Sequence, residues 1–336
     1  MIRIELLEKR SKIINSIRRF FIDNGYVETE TPILSPFLIP ESAIEVFETT
    51  YFTGENEKTP LYLIPSPELW MKRLLAQGSG NIFQITKSFR NMDQQGKYHN
   101  PEFTMLEWYT VDHDYMDSID VTQRLLLSVA CSFKGNPILS FGGVDIDLSR
   151  PFLRLSMREA FQLYLKADLD ILILDERQLN RLLTMQGLFF KEESSWESRF
   201  NTLFLASVEP KLPRDRAVIL YDYPARIGTL ARGGKNQLYS ERWELYMGGI
   251  EIANCYTEEN DPAAVTRFIE EEAKKKGKAR VKHRIDYKLA GYMEGLPLCS
   301  GVALGVDRLI MLFLDKNSIN GVIPFSISDI IGDKIK

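Results

Sequence analysis

The sequence predicts an α+β fold, a mainly antiparallel β-sheet flanked by helices. Two pairs of strand patterns carry this reading. Residues 82–90 and 103–110 alternate in polarity and follow each other across a polar loop, while 243–247 and 250–256 meet at a Gly248-Gly249 turn. A third observation is that helical apolar spacing opens the chain and dominates 150–212, apart from those strand pairs.

Taken in order, Leu6, Leu7, Ile13, Ile14, Ile17, Phe20 and Phe21 recur at helical spacing, and Gly25 supplies the stop. Val27-Glu28-Thr29-Glu30-Thr31-Pro32 follows, where Pro32 biases Thr31 towards extended backbone. Residues 39–59 read as polar and turn-rich, 61–64 as a short strand, and 68–75 as a helix opened by Ser66-Pro67. After strands 82–90 and 103–110, residues from about 150 to 212 read as a mostly helical insertion with few groups suited to chemistry, for example at 157–165 and 175–183. Strands return at 217–221, 243–247 and 250–256; a charged helix spans 262–276, and a glycine-rich strand and helix occupy 301–314. With neither internal repeat nor low-complexity linker, the expectation is a single catalytic domain over 1–336 carrying that insertion.

Composition narrows the function. Of 336 residues, 44% are apolar and 26% charged, which excludes disordered, collagenous and disulfide-framework classes. A net charge of -4 gives no basic excess to make nucleic acid the default partner. Cys131, Cys255 and Cys299 are odd in number and widely spaced, which suits a reducing compartment. His99, His113 and His283 offer no metal cluster from sequence neighbours. The first residues lack a signal-peptide core, and no apolar run approaches the roughly 20 residues of a membrane span. The expected setting is cytoplasmic, without a membrane partner.

Candidate chemistry gathers at four places. In the first central strand Gln84, Thr86, Ser88 and Arg90 share a polar face; in the second, Phe103, Met105, Glu107 and Tyr109 share one. Together they form a polar pocket floor or an exposed mixed face. In the Gly-Gly hairpin, Tyr246 is expected opposite Glu251 and Ala253 opposite Glu244, making the two glutamates diagonal neighbours roughly 7–8 Å apart. Such a pair suits shared Mg²⁺, and equally suits a solvated surface. Gly301-Val302-Ala303-Leu304-Gly305-Val306-Asp307-Arg308 brings two glycines and an arginine to a strand–helix junction, without the G-K-[S/T] of a P-loop. The basic run at 274–284 reads as a solvated helix followed by a mobile loop.

Three strings, in order, resemble motifs 1, 2 and 3 of the class II aminoacyl-tRNA synthetases: Val27 to Pro32, Phe89-Arg90 with His99-Asn100-Pro101-Glu102-Phe103-Thr104-Met105-Leu106-Glu107, and Gly301 to Arg308. The HNPEFTMLEWY string and Ile250-Glu251-Ile252-Ala253-Asn254 are similar to the lysyl branch. The first motif begins near residue 26, so an N-terminal OB-fold for anticodon reading is not expected. Short chains of this kind, with alanine at position 303, resemble the elongation factor P–lysine ligases.

The resemblance implies roles. Arg90 would clamp the ATP α-phosphate and Arg308 the γ-phosphate, with Phe103 stacked on adenine and Asn91, His99 and Asn100 ordering the nucleotide. Glu244 and Glu251 would hold Mg²⁺, with Glu251 also facing substrate. Glu107, Tyr109 and Glu258 would recognise a side-chain ammonium. Ser66, Glu68 and Asn254 would take the other amino group and the carboxylate, and Ala303 would shape the pocket. The implied reaction is activation of lysine or β-lysine with ATP and transfer to a lysine of elongation factor P, by a homodimer joined through motif 1 and without tRNA. Two other functions remain in view: a truncated lysyl-tRNA synthetase, and a non-catalytic paralogue that only binds lysine or adenylate. Two departures stand out. Arg90-Asn91-Met92-Asp93 replaces the family's Arg-x-Glu, with a loop before Tyr98 one residue longer, and Cys255 stands where glycine is common.

Overall fold

In the computed structural model, residues 4–54, 57–92, 96–277 and 279–332 are described. Helix α1 (Ile4–Asp23) buries Ile13, Ile17, Phe20 and Phe21. Gly25, at φ +80°, ends it, and the Tyr26 amide donates back to the Phe21 carbonyl at 3.0 Å. Strand β1 (Val27–Glu28) follows, then β2 (Leu34–Ser35), β3 (Glu48–Phe52) and β4 (Lys58–Leu63) in a small sheet ordered β2-β4-β3. β3 lies in the stretch read as turns, because its ETTYF sequence is fully exposed and shows no polarity alternation.

Helix α2 (Glu68–Ala76) leads to β5 (Ile82–Phe89) and β6 (Glu102–Val111). Helix α3 (Asp117–Lys134), absent from the sequence reading, packs on α1, and β7 (Ile138–Phe141) pairs with β8 (Val144–Asp147). β9 (Leu153–Ser156) opens the segment expected as an insertion, followed by α4 (Met157–Leu165), α5 (Leu169–Leu174), α6 (Glu176–Met185) and α7 (Trp196–Ser207). The chain continues through β10 (Val218–Pro224), β11 (Tyr239–Met247), β12 (Ile250–Thr257), α8 (Pro262–Lys276), α9 (Leu289–Met293), β13 (Cys299–Gly305) and α10 (Val306–Phe313).

Among the described residues one eight-stranded sheet, ordered β1-β5-β6-β13-β12-β11-β10-β9, organises everything else. Its interior pairs are antiparallel; only the edge pairs β1–β5 and β9–β10 are parallel. On one face Phe83, Trp108, Val302 and Leu245 join α1, α3 and α10 in the main core. The other face is split. Over β10 and β11 the α4–α7 segment packs Trp196, Phe200 and Phe161 as stacked rings, with centroids 5.0 and 5.4 Å apart, against Val218, Leu220 and Tyr246. Over β5, β6 and β13 it lies open to a cavity. No helix among the described residues is long and apolar enough to cross a membrane.

The β11–β12 hairpin departs from the strict alternation expected of it. Tyr246 does face Glu251, but Leu245 faces Ala253 and Glu244 faces Asn254, leaving Ile252 as the extra residue of a β-bulge. Ala253 is therefore not opposite Glu244. Ile252 and Ala253 both bury into the main core, and the slip turns Glu251 and Asn254 to the same side.

Candidate active site

Register across the sheet assembles the site as two rows. Gln84, Glu107, Ala303, Asn254 and Glu244 are successive partners from β5 to β11; Ile82, Tyr109, Gly301, Tyr256 and Arg242 form the next row. Directly opposed residues project to one face. The smallest side chains, Ala303 and Gly301, sit at mid-row and leave a hollow of about 420 Å³, adjoined by a smaller one of about 90 Å³. Arg90, Glu251, Asn254 and Ala303 line both. Ser66, Glu68, Glu107, Tyr109, Glu244 and Glu258 line the larger; His99, Asn100, Phe103 and Arg308 line the smaller. Asn91 lines neither: its amide donates to the Glu45 carbonyl at 2.8 Å and ties down the preceding loop. Asp93 lies outside the described residues.

The deep end of the larger hollow is a cluster of opposed charges. Helix α2 presents Glu68 and, one turn on, Lys72, which is fully buried. The Lys72 ammonium lies 2.5 Å from Glu68 Oε1 and 2.6 Å from Glu258 Oε2. The Tyr109 hydroxyl donates to Glu107 Oε1 at 2.6 Å. Two buried carboxylate oxygens, Glu107 Oε2 and Glu258 Oε1, are left without a partner. A Cβ at position 301 would fall 2.2 Å from Glu258 Oε1 and 2.5 Å from Tyr109 Cε1, so only glycine leaves this floor open. Burial, then the charge of Glu68, pushes Glu107 well above the usual carboxylate range. Burial raises Glu258 to about 7, against the pull of Lys72. For Lys72, burial pulls downward, but Glu258 and Glu68 together hold its affinity for the proton above the ordinary lysine value.

The other end is built from arginines. Arg90 lies over the Phe103 ring, 5.3 Å from its centroid, and its Nε lacks a partner. Arg308, in the first turn of α10, donates to His99 Nε2 at 3.0 Å and to the Glu251 carbonyl at 2.9 Å. Asn100 is occupied structurally, its amide nitrogen donating to the Glu102 carbonyl and its oxygen accepting from the Ile327 amide.

Glu244 Oε2 accepts from the Tyr223 and Tyr246 hydroxyls, each at 2.6 Å, while Oε1 pairs with Arg242 at 2.6 Å. Glu251 lies against Arg308 at 3.3 Å, and burial followed by the Glu244 charge raises its pKa. Glu209, just past α7, is raised to about 7 by burial and by Glu244 and Glu251. This mutual repulsion and all-oxygen donor set fit a divalent cation. Among the described residues no group of three or more His, Cys, Asp or Glu side chains is placed to hold a metal, so such a cation would complete its shell from phosphate and water.

The sequence reading missed Lys72, Arg242, Tyr223 and Glu209. Lys72 left one signal, an i,i+4 pair with Glu68 on a helix that has to pack against a sheet. Glu209, with Glu197 and Asn201, also shows that the helical segment walls the cavity, contrary to the expectation that it carries little chemistry.

The chain matches the family model described as tRNA synthetases class II (D, K and N) over residues 3–329. It is 39% identical over 333 residues to the "Elongation factor P--(R)-beta-lysine ligase" of Baumannia cicadellinicola, covering 95% of this chain and 94% of that protein. The protein of the same name from Yersinia enterocolitica is 37% identical over 96% of this chain and 94% of its own length. That from Pasteurella multocida is 37% identical over 97% and 96%. With the strings, the sheet register and these matches in agreement, the chain belongs to the class II tRNA synthetases (D, K and N), among the elongation factor P–(R)-β-lysine ligases.

Proposed function

We propose that this chain activates lysine or β-lysine with ATP and transfers it to a lysine side chain of elongation factor P. The observation that supports it most is the pairing of two ends in one hollow: unpartnered buried carboxylate oxygens on Glu107 and Glu258, and an unpartnered guanidinium Nε on Arg90. The first end suits an ammonium that has left water, and the second an anion.

In this reading Glu107, Tyr109 and Glu258 seat the side-chain ammonium, while Glu68, Ser66 and Asn254 face the second amino group and the carboxylate. Phe103 stacks on adenine, Arg90 holds the α-phosphate and Arg308 the γ-phosphate. A substrate carboxylate oxygen attacks the α-phosphorus, the bond to pyrophosphate breaks, and an aminoacyl adenylate forms. The acceptor amine then attacks the acyl carbon, the acyl–AMP bond breaks, and the amine's extra proton leaves as the amide forms. Positioning and fixed charge supply the acceleration, with no protein nucleophile needed. Glu244 and Glu251 would hold Mg²⁺, whose contribution is to neutralise phosphate charge.

A cytoplasmic homodimer fits this reading. Val27, Ile33 and Leu34 of the motif 1 region are exposed apolar residues at the edge of the main sheet and beside it, suited to a second copy. The test is one competition reaction: enzyme, ATP, Mg²⁺ and labelled lysine, then labelled β-lysine, offered elongation factor P and lysine tRNA together. Label on the protein is expected. Label on the tRNA would make the chain a minimal synthetase, and label on neither would favour a binding-only paralogue.

A further inference from the structure

The charge count in the deep chamber is uneven in an informative way. Glu68, Glu107 and Glu258 bring three carboxylates together beside one fully buried cation, Lys72. Burying a lysine is costly unless it is paired, and this one is paired twice, with Glu68 and with Glu258. It also takes one oxygen of each, which leaves Glu258 Oε1 unpartnered, as is Glu107 Oε2, and both residues line the hollow. With all three carboxylates ionised against a bound substrate, three negative charges less one leave two. A diamino acid whose carboxylate has become an adenylate ester carries two ammonium groups.

We propose that Lys72 is the residue that sets the charge capacity of the amino-acid chamber, trimming it from three positive charges to the two a lysine-type substrate brings. It is a positioning residue: it touches Glu68 and Glu258 rather than the substrate. By standing between them it offsets their mutual repulsion, lowers the proton affinity of Glu258 and fixes its free oxygen towards the incoming ammonium. This rests on the reading of the site as a diamino-acid pocket. The charged groups facing Lys72 are Glu68 from its own helix and Glu258 from the end of β12; Glu107 faces the same chamber from β6 and Glu41 from the rim, opposite Arg90.

The test compares Lys72→Met, which keeps volume and loses charge, with Lys72→Arg, which keeps charge, and reads amino-acid-dependent ATP–pyrophosphate exchange between pH 6 and 9. For Lys72→Met the expected result is a rise in lysine KM of at least tenfold at pH 7, and an acid limb of kcat/KM moved upward by one pH unit or more. The upward move follows because Glu258 without Lys72 beside it holds its proton to higher pH. Lys72→Arg should keep the wild-type limb. In Lys72→Ala, added propylammonium should restore exchange while 1-propanol does not. A uniform loss at every pH, or equal rescue by the alcohol, would overturn the proposal in favour of plain packing. If the uncharged variants do not fold, calorimetry of lysine binding to the wild type at pH 8 in two buffers decides. Release of one proton or fewer is expected, and release of two or more means that Lys72 does not hold down the proton affinity of Glu258. Absence of exchange in the wild type with either lysine or β-lysine would instead remove the underlying reading of the site.

Discussion

At the scale of the residue, the motif strings picked out side chains that the fold brings to one hollow, because they carry chemistry by type. An arginine after an alternating strand or a glutamate on a cavity face has few other uses once the strings are seen together. Arg308 is the sharpest case. It lies between His99 and Glu251, so Arg308→Ala should abolish lysine-dependent ATP–pyrophosphate exchange while the melting transition persists; near-normal exchange would remove it from the nucleotide site. For Glu258→Gln the lysine KM should rise at least tenfold, about 1.4 kcal/mol. The wild-type KM should also depend on pH. Burial raises Glu258 to about 7, and in the proposed site it would take the ammonium only when ionised, so KM should fall as pH rises from 6 to 8. The glutamine variant should lose that limb. What the strings could not reveal is the company each residue keeps. Lys72, Arg242 and Tyr223 acquire their roles from partners distant in sequence or from burial, which a single sequence does not print.

At the scale of the element, the central strands, α2 and α8 were legible from periodicity, charge and the prolines that open the helices, though Pro67 stands at the N-cap of α2 and not at its first helical position. The helical segment at 150–212 was legible as helices but not as a wall, because its aromatic residues face the sheet instead of one another's helices alone. Phe200 is fully buried at the centre of that contact, stacked on both Phe161 and Trp196. Phe200→Ala should cost about 3–5 kcal/mol of stability in urea unfolding. It should also weaken substrate binding, because Glu197, Asn201 and Glu209 ride on the same packing. Unchanged kinetics in a destabilised but folded variant would show the wall to be passive. Helix α8 contributes differently: Glu272 accepts from the Ser42 amide at 2.8 Å and Lys276 donates to the Glu41 carbonyl at 2.9 Å, strapping the 39–44 rim over the hollow.

For the molecule as a whole, the sheet order and the placement of the site on one face were not legible, since strand sequence does not state which non-neighbours pair. Gathering so many carboxylates there has a thermodynamic consequence. Glu41, Glu209 and Glu258 are each raised to about 7 from an ordinary 4.5. A carboxylate raised on folding contributes stability that is fully present below 4.5 and is lost as pH climbs through about 7. The ligand-free melting temperature should therefore decline between pH 5 and 8. Added lysine should recover more of it at pH 8 than at pH 5; a flat ligand-free profile would contradict the buried cluster. Assembly is checked by sedimentation, where a dimer at micromolar concentration is expected and monomer alone would count against the exposed motif 1 edge as an interface.

The bulge at Ile252 was invisible beforehand because Ile-Glu-Ile-Ala-Asn fits simple alternation, and Glu251 and Asn254 can share a face only if the alternation slips once. The site is thus encoded partly as a count. Laid out in strict alternation with no bulge, the same residues would turn Asn254 and Tyr256 into the core and present Ala253 and Cys255 to the hollow, exchanging an amide and a phenol for a methyl and a thiol without altering any side chain's identity. Along this strand, which side chains reach the hollow is decided by register as much as by residue identity.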